Sequence, residues 1–278
     1  MSETTGHDLS HLSPAAGRLG AAFARPKVLA AVCVIALAGL GWLALGLMTA
    51  ATGLFDALCR PLTSGAWSAI NFTIIAAMWG AMTFAMMLPS AAPMIMTYAE
   101  IADTAARKGE RIVSPFVLAA GYLSVWLGFA AAATFVQYVL TRAALLDASI
   151  APTSRLFSGA IFIAAGGYQF SALKHACLTQ CQRPFPFFFS HWATTPRGVF
   201  NLGFKQGLYC LGCCWAMMLV MFAAGVMNLI WMAALGMVMA IEKIGTDKRF
   251  THAVGAVLIA LGIAFVLATH LPLHTTLS

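Results

Sequence analysis

The chain has 278 residues, 61% of them hydrophobic and 9% charged, with a formal net charge of +7 and a mean hydropathy of +0.85. A soluble domain carries about 25% charged and about 45–50% apolar residues; here 16 basic and 9 acidic side chains are too few to clothe a water-soluble globule. A soluble enzyme, a disordered chain and a nucleic-acid binder are therefore excluded as leading readings. Backbone amides in lipid must be bonded within the chain, so the fold class is all-α, a polytopic bundle of transmembrane helices.

In chain order, residues 1–27 read as a flexible cytoplasmic tail, 28–270 as a single transmembrane domain and 271–278 as a short outer tail. A spanning helix needs about 20 mostly apolar residues. Seven segments qualify: 28–50, 70–96, 114–140, 156–176, 204–226, 229–244 and 251–270. The first is too long for the apolar core of a cleaved signal peptide and lacks a small-residue cleavage site. Pro89 and Pro93 predict a kink or break near the end of the second. Only the Gly225–Asn228 stretch separates the fifth from the sixth, which form either a tight hairpin or one long broken element.

With the N-terminus in the cytoplasm, alternation leaves only Arg60, Arg142 and Arg155 of the 16 basic residues outside. That bias supports seven spans in an N-in, C-out orientation and explains the net charge without an acidic partner. The longest loop, roughly 177–203, is too short for a core of its own. Small residues such as Ala164–Gly167 and Gly203-x-x-x-Gly207 permit close helix packing.

The spans hold almost no ionisable residue away from their ends, which argues against a proton-driven pump. No phosphate-binding loop occurs. The last span has no lysine for a retinal Schiff base, and His175 and His252 fall only at span ends, unlike the paired ligands of a b-type haem.

Chemistry is concentrated in sulfur, with 7 Cys and 15 Met. Cys177-x3-Cys181 closes the fourth span and Cys210-x2-Cys213-Cys214 opens the fifth, both at or just inside the cytoplasmic face. Cytosolic thiols stay reduced, and clustered ones bind metal or do redox chemistry more often than they form structural bridges. At 100° per residue, Cys210, Cys213, Cys214, Met217, Met218 and Met221 share a stripe roughly 140° wide. The second span adds Met78, Met82 and Met86 at i, i+4 and i+8. Thiolates leading into thioethers favour Cu(I), with Zn as the other ion the thiolates admit.

Plainer roles compete with these. A methionine in an apolar helix is ordinarily a flexible core filler. Cys33 and Cys59 read as small hydrophobes, and His7, His11, His270 and His274 as solvated tail residues. His175 is a candidate ligand, although in a helix it faces away from Cys177. Glu242 is read as an ion-pair partner of Lys174 or Lys205 in preference to a hard metal ligand.

Three segments carry a family resemblance. They are Trp79-Gly-Ala-Met82-Thr-Phe-Ala-Met86-Met87-Leu-Pro89, the stretch from Tyr168-Gln169 through Lys174-His175-Ala-Cys177 and Cys181 to Arg183-Pro184, and Gly207-Leu-Tyr-Cys210-Leu-Gly212-Cys213-Cys214-Trp215-Ala-Met217-Met218 running on to Glu242-Lys243. Together they span residues 79–243, and the chain resembles the DUF2182 family, described as predicted metal-binding integral membrane proteins. The family pattern has a proline where this chain has Ser171-Ala172, and arginine directly after the second cysteine of the first pair, where this chain has Gln182 and then Arg183. The resemblance implies a metal-handling membrane protein.

The expectation is a protein of the bacterial inner (plasma) membrane that binds Cu(I) at the cysteine cluster for transport or delivery, rather than an enzyme. Its partners would be the lipid bilayer and a metal chaperone or metalloprotein recipient, with oligomerisation open. Two alternatives stand beside it: a membrane thiol–disulfide oxidoreductase using Cys210 and Cys213, and a structural zinc clamp in an assembly factor.

Overall fold

The computed structural model describes residues 26–50, 69–110, 112–143, 154–224, 229–245 and 247–268. The readings for Cys59, the tail histidines and the Gly225–Asn228 stretch lie outside the described residues. Every regular element among the described residues is helical. In order they are α1 (Pro26–Ala50), α2 (Ala69–Met82), a π-helical turn (Thr83–Met87), α3 (Leu88–Arg107), α4 (Pro115–Arg142), α5 (Arg155–Tyr168), α6 (Ala172–Gln182), α7 (Pro184–Ser190), α8 (Pro196–Ala224), α9 (Leu229–Ile244) and α10 (Lys248–Leu267).

Local chemistry explains the breaks. Pro89 lacks the amide that would bond the Ala85 carbonyl, and Pro93 the one that would bond Pro89. The chain absorbs this as a wider π turn just before the prolines and carries on helically to Arg107. The second predicted span is therefore a bulged helix from Phe72 to Arg107, longer than the 70–96 expected. The fourth is sharply bent: α5 and α6 meet at 64°. Ser171 restarts the helix by accepting a hydrogen bond from the Lys174 amide at 3.1 Å, a standard N-cap. Ser114, Ser154 and Asp247 cap α4, α5 and α10 in the same manner.

Among the described residues, five helical segments are long and apolar enough to cross a membrane: Val28–Leu47, Phe72–Arg107, Pro115–Arg142, Pro196–Ala224 and Lys248–Leu267. The bent α5–α6 pair makes six if it counts as one span. The 229–244 segment forms a helix of 16 residues, about 24 Å long at 1.5 Å per residue, shorter than the roughly 30 Å hydrocarbon core of a bilayer.

Two glycine seams set the packing. A Cβ on Gly203 would lie 2.0 Å from the Leu118 carbonyl oxygen, and one on Gly121 would lie 2.1 Å from that of Phe200. α4 and α8 are therefore in backbone contact, as the Gly203-x-x-x-Gly207 spacing suggested. Gly159 and Gly166 of α5 meet Gly262 and Gly255 of α10 in a second seam. The aromatic interior is pinned by polar contacts: Trp79 Nε1 donates to Gln137 Oε1 at 2.8 Å, and the Trp79 and Phe222 rings lie 5.2 Å apart across α2 and α8.

Candidate metal centre

The bend at residues 169–171 aims α6 at the middle of α8. On α6, Lys174, Cys177 and Cys181 fall on one face by helical spacing, and that face meets α8. Cys210, Cys213 and Cys214 sit halfway along α8, because that helix begins at Pro196 rather than near 204. All three are buried, with 1–2% exposure. The expected position at the end of the span thus gives way to one deep in the bundle.

Four thiols converge there. Cys213 Sγ lies 3.2 Å from Cys214 Sγ and 4.0 Å from Cys181 Sγ. Cys177 stands beside the group, above Gly212, whose missing side chain makes room: a Cβ there would be 2.6 Å from Cys177 Sγ. Each central thiol faces a hydrogen-bond partner. Cys213 Sγ donates to the Cys210 carbonyl at 3.1 Å, and Cys210 Sγ lies 2.9 Å from Lys243 Nζ and 3.0 Å from the Tyr122 hydroxyl. The sulfurs are neighbours without forming a cage: no group of three or more His, Cys, Asp or Glu side chains among the described residues is arranged to hold a metal ion. Two sulfurs bound tetrahedrally to one ion at about 2.3 Å are about 3.8 Å apart. The Cys181–Cys213 pair, at 4.0 Å, is close to that separation.

A polar frame holds the cluster. Lys174 Nζ donates to the Cys213 carbonyl at 3.1 Å and pairs with Glu242 Oε2 at 2.8 Å, both side chains being 1–2% exposed. Of the two partners expected for Glu242, Lys174 is the one it meets. Lys243 Nζ donates to Ser90 Oγ at 2.7 Å, and Ser90 in turn donates to the Met87 carbonyl, which also accepts from Tyr122. The π turn and the prolines thereby reach Cys210 through Ser90, Lys243 and Tyr122. Gln182 ties α6 to the Glu242 and Gly245 carbonyls.

The six candidate methionines are all interior. Met78, Met82, Met86, Met217, Met218 and Met221 are each 0–4% exposed. Met217 Sδ accepts a hydrogen bond from Gln169 Nε2 at 2.9 Å, and Met86 packs against Gly236 of α9. His175 lies apart from the thiols, on the opposite side of α6, where its Nε2 meets His252 Nε2 at 3.2 Å.

Sequence reasoning missed Tyr122 and Ser90 as partners of the cluster. Neither carries a local signal; Tyr122 reaches Cys210 directly and Ser90 only through Lys243, each from a helix far away in sequence. Lys243 ends the third segment of the resemblance, but its partner was not legible.

A family model described as PpoB2, copper chaperone, matches residues 76–265. No curated protein and no solved structure matches the chain.

Proposed function

Because the chain belongs to the PpoB2 copper-chaperone family, we propose that it is a membrane-embedded copper chaperone that carries Cu(I) as cargo on the thiols of Cys181, Cys210, Cys213 and Cys214. The single observation that supports this most is the proximity of sulfurs from two helices, Cys181 of α6 beside the buried Cys213 and Cys214 of α8, with Lys243 on the neighbouring Cys210. Thiolates select Cu(I). A lysine ammonium beside them offsets the negative charge that a copper–thiolate complex would bring into the bundle, where an uncompensated charge is costly. Cys177 stands where a fifth sulfur could receive or release the ion as the α6 face meets α8.

Met217, Met218 and Met221 continue the thiol face along α8 toward the level of Trp79 and Phe222, and Met78, Met82 and Met86 line α2 and the π turn. Thioethers bind Cu(I) more weakly than thiolates, and conduction needs sites weak enough to let the ion go. These methionines are the exchange path in this reading. The recipient is a metalloprotein or a second chaperone.

The basic residues favour an N-in, C-out orientation of a single membrane domain over residues 28–270, with α9 as a short seventh span in a bacterial inner membrane. The test is anaerobic Cu(I) titration of the detergent-purified chain. Binding lost in the combined Cys210→Ser, Cys213→Ser, Cys214→Ser variant supports the reading. Undiminished binding in that variant refutes it.

A further inference from the structure

His175 and His252 face each other on the outside of the corner where α6 meets α10, on the side of α6 away from its thiols. Their Nε2 atoms are 3.2 Å apart, and the rings stand nearly perpendicular, at 79°. Phe170 stacks on His252 with ring centroids 5.1 Å apart, which fixes that ring. His252 is exposed and His175 half-buried, so water has access to both nitrogens.

Metal–imidazole bonds are about 2.0–2.1 Å, so two nitrogens on one tetrahedral or square-planar ion lie about 2.9–3.4 Å apart. A linear two-coordinate Cu(I) would need about 4 Å. Imidazole suits borderline divalent ions such as Zn²⁺ and Cu²⁺ better than a thiol-seeking monovalent one.

We propose that His175 and His252 form a two-imidazole site for a divalent transition-metal ion, separate from the thiol cluster, with water completing the coordination shell. An ion there ties α6 to α10. The helix that carries Cys177 and Cys181 is then clamped from its far side, and the 64° bend that aims it at α8 is held.

The test is equilibrium dialysis of the detergent-solubilised full chain against Zn²⁺, comparing the unsubstituted protein with His175→Ala and His252→Ala, each verified as monodisperse. The expected result is one fewer Zn²⁺ per chain in either variant. Affinity at that site should fall by more than the roughly 10- to 100-fold that follows loss of an outer-shell partner. A second measurement uses the chain with Cys177, Cys181, Cys210, Cys213 and Cys214 all changed to Ser. One equivalent of Cu²⁺ should give a paramagnetic resonance spectrum with two imidazole nitrogens, reduced to one by His252→Ala. Equal Zn²⁺ content in the unsubstituted chain and both variants overturns the proposal and leaves the pair as a hydrogen bond between the two rings. The zinc comparison is a difference between chains with identical thiols, so it stands or falls independently of Cu(I) binding at the cysteines.

Discussion

Replacing Lys174 with Met tests the frame behind the thiols. At 2.8 Å and an effective dielectric of about 20, the Lys174–Glu242 attraction is about 6 kcal/mol before desolvation is subtracted. Removing one partner of a buried pair strands the other charge, at a cost of roughly 3–5 kcal/mol. Glu242 Oε1 is buried with no hydrogen-bond partner among the described residues, so Lys174 is the donor the carboxylate depends on. The same change removes the bond from Lys174 to the Cys213 carbonyl. In a chain of this size the expected loss corresponds to a fall in thermal midpoint on the order of 10 °C. Thermal unfolding in detergent should show that fall for Lys174→Met, and recovery of most of it when Glu242→Leu is added, because no buried charge is then left unpaired. A single variant within about 1 °C of the parent, on the scale of 2–4 °C per kcal/mol, would refute the argument. So would a double variant no more stable than the single.

Other predictions follow from the geometry. Gly203→Ala should destabilise by at least the roughly 1–3 kcal/mol of an overpacked core, because its Cβ would lie 2.0 Å from a carbonyl oxygen. Gly128→Ala on α4 meets nothing within 4 Å and should be neutral or stabilising by up to about 1 kcal/mol in the same unfolding assay. Gly212→Ala should displace Cys177 and change its alkylation rate while Cu(I) stoichiometry at the other four sulfurs is retained. Met218→Leu should leave Cu(I) binding intact yet slow its transfer across proteoliposomes; unchanged transfer with leucine at Met217, Met218 and Met221 together would remove the methionine path.

Much of this architecture was legible from local pattern. Apolar runs located the long helices, and the glycine spacing at Gly203 and Gly207 anticipated the α4–α8 seam. The stripe from Cys210 to Met221 corresponds to a face whose six sulfur side chains are all buried. The rest depended on tertiary context. Nothing near Gln169–Ser171 forces a 64° bend; Ser171 makes the restart favourable only once the chain turns. The fifth span was read from 204, yet the helix begins at Pro196 and runs for 29 residues, so the cysteines sit eight residues further from its start than expected. Tyr122 and Ser90 reach Cys210 through contacts 88 residues and more away along the chain or through Lys243, which no periodicity encodes. His175 could be placed opposite Cys177 by helical phase alone, whereas its meeting with His252 required the α6–α10 corner.

X-ray absorption at the copper edge of the anaerobically loaded protein tests the central claim most directly. Two or three sulfur ligands around Cu(I), absent when Cys210, Cys213 and Cys214 are serine, is the result the account predicts. A tetrahedral zinc that never exchanges would contradict it and make the cluster a structural clamp. A reversible disulfide between those cysteines with no metal bound would contradict it in favour of thiol–disulfide exchange.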